Sequence, residues 1–245
     1  VWLRRVPAVL EHLRQRAVAV ERAIWWAGYA HLPFIHPTMV RARIDGLCTS
    51  ILDVGCGPGL VMNVVNRDRR FFAVGVDIFP PHLDMSSKKT VFQALVCADI
   101  RRPPFQPKSF DCVLCCRTAE YLRESEAATL MEDCERLARR QVIIVVVTGF
   151  HPGEGRLDPY QEQRSEWRPA QMRALGYRVR GVGLRFLRPR KDWTLFFRLA
   201  VWVVAGPFVY WVPSLAAYLL CVKTLPVTAP SGQRQAFRSQ RGHRW

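Results

Sequence analysis

Acidic residues are scarce in this chain. Its 245 residues carry 20 Asp and Glu against 36 Lys and Arg, a formal net charge of +16, and the basic residues are nearly all Arg. Such a surplus implies attraction to something anionic: nucleic acid, an acidic membrane surface or an acidic substrate. Charge of either sign is missing from Leu199 to Val222, a run of 24 positions. Internal repeats and low-complexity tracts are also missing, which leaves no basis for a repeat architecture. No signal peptide is expected, because Arg and Glu interrupt the first 25 residues. An apolar fraction of 49% excludes global disorder and suffices for one sizeable α/β domain with extensions. Eight cysteines are present. Cys112, Cys115 and Cys116 share one predicted strand, where alternation sends neighbours to opposite faces. Cys56 sits in a glycine turn, and Cys97 and Cys221 lie on apolar strands. They read as reduced core residues of a cytosolic protein, with a zinc site as the alternative.

The most informative stretch is Ile51-Leu-Asp-Val-Gly-Cys-Gly-Pro-Gly59. Apolar residues around Asp53 form a short buried strand that runs straight into Gly55, Gly57 and Gly59. Glycines let the backbone turn tightly and approach a ligand, and the following helix offers free N–H groups. A second buried strand, Val74-Gly-Val-Asp77, ends in a carboxylate 24 residues after Asp53. An acid at that position can accept both hydroxyls of a ribose. The alternative is a purely structural turn with a helix-capping Asp. A dehydrogenase fingerprint would want glycine at position 60, where this chain has Leu.

These residues resemble the class I S-adenosylmethionine-dependent methyltransferases, and within them the type-11 group. Asp53 to Gly59 is similar to their first motif and Asp77 to their ribose-binding acid. Cys97-Ala-Asp99-Ile100 is similar to the adenine-contacting turn, and Phe110-Asp-Cys-Val-Leu-Cys-Cys116 to the fourth strand, whose end faces the methyl group. The resemblance covers roughly residues 48 to 187. It implies S-adenosyl-L-methionine as cofactor, held by Asp53, Gly55, Cys56, Gly57, Gly59, Asp77, Ile78, Asp99, Ile100 and Arg117. For Asp99, a turn-forming role before Arg101 is the competing reading. Arg117-Thr-Ala-Glu120-Tyr121-Leu122 occupies the place where many relatives carry Glu-His-Leu. Tyr121 therefore replaces a His, and the Glu-x-x-Glu-His metal cluster of RNA 3′-end methyltransferases is not formed. Glu120 and Tyr121 stand as catalytic candidates, with capping of the helix at 124–139 as the alternative for Glu120. His151, just after the fifth strand, is the candidate base. Tyr160 and Trp167 are candidates for the acceptor pocket, Trp167 alternatively as an anchor for the next helix.

Strands are predicted at 50–54, 71–77, 92–97, 110–116, 141–148, 177–187 and 217–223, with helices at 124–139 and 168–175 among those between. This alternation predicts an α/β fold, a doubly wound Rossmann-like sheet; the resemblance makes it seven-stranded with an antiparallel last strand. Residues 1–46 form an N-terminal segment: apolar positions from Val6 to Ile24 recur at helical spacing, and 28–46 reads as a loop where related enzymes carry a lid. The methyltransferase domain is expected over 47–224 and a basic disordered tail over 225–245.

Length alone would make the charge-free run a membrane span. Pro207 and Pro213 each remove a backbone donor, and strands six and seven in one sheet require the chain to leave and return on the same side. Residues 191–216 therefore read as a hydrophobic helical hairpin, dipping into one leaflet or covering the active site. Arg185, Arg188, Arg190, Lys191, Arg198 and Lys223 flank it and suit anionic headgroups. The expected protein is a methyltransferase on the cytoplasmic face of a membrane, peripheral or monotopic, acting on a small-molecule, lipid or lipid-linked acceptor without a metal. The competing function is a nucleic-acid methyltransferase using the basic surface, although no Asn-Pro-Pro-Tyr motif and no RNA-binding module is found.

Overall fold

A computed structural model describes residues 36–150, 160–185 and 204–226. The amphipathic N-terminal segment, His151, the first part of the hairpin (191–203) with the basic residues just before it, and the tail beyond 226 lie outside the described residues.

Short apolar runs bounded by Gly, Pro and Asp make the strands. β1 (Ser50–Val54), β2 (Phe72–Asp77), β3 (Ala94–Cys97), β4 (Phe110–Cys116), β5 (Ala138–Val147), β6 (Arg178–Leu184) and β7 (Ala216–Thr224) form one sheet of order β3-β2-β1-β4-β5-β7-β6. β1 to β5 pair in parallel, while β7 lies antiparallel between β5 and β6. Helices α1 (His36–Arg41), α2 (Leu60–Val65), α3 (Pro80–Ser87), α4 (Glu124–Leu137) and α5 (Pro169–Ala174) join them. A further helix, α6, spans 204–211. This is the expected doubly wound sheet with its antiparallel last strand.

Alternation along the strands divides the core in two. Leu52, Val54, Val113, Cys115, Val142 and Ile144 pack with α4 and α5 on one face. Ile51, Cys112, Leu114, Cys116, Ile143 and Val145 pack with α1 and α2 on the other. Full burial of each large aliphatic chain stabilises the fold by about 1.5–3 kcal/mol. The three strand cysteines are thus split between faces as expected, and all eight cysteines are free thiols. Cys97 departs from the core reading: it is exposed, because the short edge strand β3 is covered on neither of its ends.

Most predicted ends shift by one to three residues, and two differences have a structural reason. The stretch 28–46 is not all loop, since α1 occupies His36–Arg41; six residues are too few to show a helical period, and tertiary contacts hold them. β5 begins at Ala138 rather than 141, directly after Leu137, because the backbone of Ala138 turns extended (φ −81°, ψ 138°) without any intervening loop.

The second half of the expected hairpin is described. α6 ends at Trp211, and Pro213 opens a single 3₁₀ turn, Pro213–Leu215, that leads into β7. The helix lies over β6 where Gly181 has no side chain: a Cβ there would collide with the Val209 carbonyl oxygen and come within 2.8 Å of the Ala216 Cβ. Val209 is fully buried, while Val204, Phe208 and Trp211 are exposed at 78%, 59% and 68%. Among the described residues, no helix is long and apolar enough to cross a membrane.

The contact at Gly181 predicts that Gly181→Val will lift α6 from β6. Overpacking of this kind costs about 1–3 kcal/mol. Thermal denaturation of the purified variant checks it, and an unchanged midpoint would mean that α6 is not seated on the sheet.

Candidate active site

The carboxyl ends of β1, β2, β3 and β4 open onto a cleft of about 440 Å³, within the range of roughly 300–1,000 Å³ usual for small-molecule sites. Its first wall is the glycine loop. Gly55 has φ +69°, and a Cβ there would collide with the Thr118 side chain, so only glycine fits. The loop is tied to β2 from below: Gly55 N–H and Cys56 N–H both donate to the Val76 carbonyl (2.8 and 3.0 Å).

Asp77 ties it from the side. Its Oδ2 accepts from Gly57 N–H at 2.8 Å and its Oδ1 from Phe79 N–H at 2.9 Å. The residue is therefore more than a ligand-facing acid, since it also sets the conformation of both loops that border it. Asp53 lies beneath the loop with only 2% of its surface exposed. Its Oδ2 has no hydrogen-bond partner among the described residues. Burial, and after it the neighbouring Asp77, push its carboxyl up to about 7.

Gly55, Cys56, Gly57, Asp77, Ile78, Asp99, Ile100, Arg117 and Tyr121 all reach the cleft surface, as does Tyr160. Asp53, Gly59 and Glu120 are not on it; they stand behind the wall and shape it. Asp99 borders the cleft and forms the turn: its Oδ1 accepts from the Arg101 N–H (2.9 Å) while the carboxylate pairs with the Arg101 guanidinium (2.6 Å). That pairing holds its carboxyl below the usual range.

Glu120 does not cap the helix that follows. Glu126 does so, accepting from Arg123 N–H at 3.1 Å. Glu120 instead sits in a 3₁₀ turn, Ala119–Tyr121, almost fully buried, with Oε1 bound to Arg117 Nε at 2.8 Å and Oε2 without a partner among the described residues. Burial raises its carboxyl, with Arg117 opposing. Trp167 is no pocket residue either. It is buried in the core before α5 and donates from Nε1 to Ser165 Oγ at 3.1 Å.

His36 is a cleft residue that sequence reasoning misses. It stands at the start of α1 and lines the cleft beside Arg117, with its ring 5.6 Å from that of Tyr218 on β7. No local pattern marks it: its neighbours in space are 81 and 182 positions away in sequence. Among the described residues, no group of three His, Cys, Asp or Glu is placed to hold a metal.

The site fits S-adenosylmethionine. Acids stand at or near the ends of three adjacent strands. The glycine loop leaves open space at Gly57, where a Cβ would meet nothing within 4 Å, and a buried carboxylate oxygen lacks a donor.

The Asp53 carboxyl carries a pH signature. Below about pH 4 it is protonated in both the folded and unfolded chain and costs nothing; between about 4 and 7 only the unfolded chain ionises, so stability is lost as pH rises, and the loss levels off above 7. Asp53→Asn should therefore gain stability over the wild type by about 2–4 kcal/mol at pH 8 and far less at pH 4.5. Urea denaturation of both proteins at the two pH values checks this; an equal difference at both would refute the burial of an ionisable group there.

Comparison with known proteins agrees with this geometry. The methyltransferase-domain family matches residues 52–146. No curated protein matches the sequence. Solved structures share the fold at low identity. A chain of the complex between the Haloferax volcanii Trm112 methyltransferase activator and a candidate methyltransferase superposes with TM-score 0.54 at 16% identity, over 79% of this chain and 89% of that one. A SAM-dependent methyltransferase from Archaeoglobus fulgidus gives 0.52 at 15%, over 78% and 95%. The [4+2]-cyclase SpnF gives 0.53 at 17%, over 78% and 80%. Since the same sheet also carries a cyclase, the fold alone does not name the reaction. The domain match points to one: residues 52–146 of this chain are similar to the methyltransferase-domain family, and the glycine loop and acids of the cleft suit S-adenosylmethionine.

Proposed function

We propose that the enzyme methylates a lipid-like or lipid-linked acceptor at the cytoplasmic surface of an anionic membrane. The observation that carries this reading is the stripe on α6. Val204, Phe208 and Trp211 follow one another at helical spacing and stand exposed, which is costly in water and favourable at a membrane interface. Cations surround the stripe. The Arg180 guanidinium lies 4.5 Å from the Trp211 ring and 5.3 Å from that of Tyr210, and Arg43 lies 5.4 Å from Tyr210 and bonds its hydroxyl. Aromatic rings at headgroup depth next to Arg are suited to acidic phospholipid.

In this reading the glycine loop, shaped from behind by Asp53, holds the methionine end of the cofactor, Asp77 and Ile78 the ribose, and Asp99 with Ile100 the adenine. When bound, the cofactor supplies an electrophilic methyl on a sulfonium. The protein's part is alignment and exclusion of water, which an in-line displacement needs more than acid–base help. Tyr121 and Tyr160 border the space left for the acceptor. Should the acceptor arrive protonated, His151 is the residue proposed to take the proton.

Two measurements test the reading. Phe208→Ser with Trp211→Ser should weaken cosedimentation with phosphatidylglycerol vesicles about tenfold or more, given roughly 1.5–3 kcal/mol per large side chain withdrawn from lipid. Binding that is unchanged by this pair, or a preference for RNA over vesicles at equal salt, would overturn the membrane reading in favour of the nucleic-acid one. For the cofactor, Asp77→Ala should lose about tenfold or more in affinity for S-adenosylhomocysteine by calorimetry, since charge-assisted hydrogen bonds contribute roughly 1.5–3 kcal/mol each. Unaltered affinity in a folded variant would remove Asp77 from the site.

A further inference from the structure

Arg117 is held in an arrangement that the cofactor's half of the cleft does not explain. It is the first residue after β4, and its backbone takes φ +59°, a left-handed conformation that a long side chain adopts only at a cost. Two contacts fix the guanidinium. Nε donates to the buried Glu120 at 2.8 Å, and Nη1 donates to the Tyr218 hydroxyl at 3.3 Å, with the Tyr218 ring 5.0 Å below. Nη2 donates to no atom of the described residues, and 27% of the side chain remains exposed to the cleft.

The direction matters. Asp77 and Asp99 border the cleft over β2 and β3, on one side of β4. Tyr218 belongs to β7, two strands to the other side in the order β4-β5-β7. His36 approaches from α1 on that same side, 5.6 Å from Tyr218. The guanidinium thus leans away from the acids that would hold nucleoside and toward α1 and β7.

We propose that the acceptor carries a carboxylate, and that it docks on the Nη1–Nη2 edge of Arg117 between His36 and Tyr218. This deepens the lipid-acceptor reading and rests on it. With Nε engaged by Glu120, the remaining edge of the guanidinium is a planar fork that matches the two oxygens of a carboxylate. Burial, and after it Arg117, hold the His36 imidazole well below its usual range, at about 3, so it stays neutral and adds no second positive charge. One fixed cation among neutral donors suits a singly charged group better than a doubly charged phosphate. Glu120 acts here as a positioning residue, keeping the guanidinium in place from behind.

The test uses the full chain loaded with S-adenosylhomocysteine. Decanoate, decanol and decyltrimethylammonium, matched in chain length, are titrated by calorimetry into the wild type, Arg117→Met and Tyr218→Phe. The wild type should bind decanoate about tenfold or more tighter than decanol, the difference a charge-assisted pair provides. Arg117→Met should lose that preference. Three results overturn the proposal: no preference for decanoate in the wild type, a preference that survives in Arg117→Met, or a loss of cofactor-product affinity in Arg117→Met with decanoate binding unchanged. The last would assign Arg117 to the methionine carboxylate of the cofactor. If Arg117→Met does not fold, Tyr218→Phe decides, since it should weaken decanoate about threefold or more and leave decanol unaltered. Failure of the wild type to bind S-adenosylhomocysteine at all would instead count against the methyltransferase reading itself.

Discussion

Insertion of β7 between β5 and β6 is the constraint on which the rest of the molecule depends. It pairs antiparallel with both neighbours, from Gln141 opposite Thr224 to Val147 opposite Tyr218 on one side, and from Arg178 opposite Val222 to Leu184 opposite Ala216 on the other. Backbone bonds extend the ladder at both ends, Thr148 N–H to Ala217 O and Leu225 N–H to Arg140 O. Lys223 then locks the strand's far end to Glu135 on α4 at 2.7 Å, with the Tyr177 hydroxyl on the same carboxylate at 3.0 Å. A strand entering the middle of a finished sheet forces the preceding chain to come back to the side it left. The last described stretch before β7, residues 204–215, is held against the sheet, with Val209 buried over Gly181.

The same insertion reaches the cleft through Arg117. Tyr218 is a β7 residue, and without it Arg117 would have only Glu120 to hold it. Asp77 and Asp99 border the cleft from β2 and the turn after β3, while Arg117 and His36 line it from the end of β4 and from α1. These two sides come from different parts of the sheet and meet at the end of β4. The buried oxygens of Asp53 and Glu120 that lack a partner among the described residues stand behind these two sides. Leaving a buried carboxylate oxygen without a donor lowers stability, so each is retained at a cost to the fold.

Much of this is legible in the sequence because it is local. The glycine loop announces itself within nine residues and the strands by uninterrupted Val, Ile and Leu, while the return of β7 is implied by the family resemblance that the local motifs carry. What cannot be read depends on residues far apart. Arg117, Tyr218 and His36 share no period and no motif, and only the closing of the sheet brings them together. Glu120 closely precedes the helix at 124–139 and so suits a cap, yet Glu126 sits at the geometrically correct third position and takes that role. Trp167 gives no sign of whether it faces pocket or core, since an aromatic ring satisfies either until its Nε1 finds Ser165. The start of β5 is hidden because Leu-Ala-Arg-Arg continues a good helix by propensity, and the sheet overrides it.

The bare backbone at Gly181 has a mechanical meaning. α6 is seated on β6, the outermost strand, with two strands between that seat and β4. A displacement of the helix therefore has two routes inward: through β7 and β5 in the plane of the sheet, and through the Arg43–Tyr210 bond toward α1, whose first residue His36 lines the cleft.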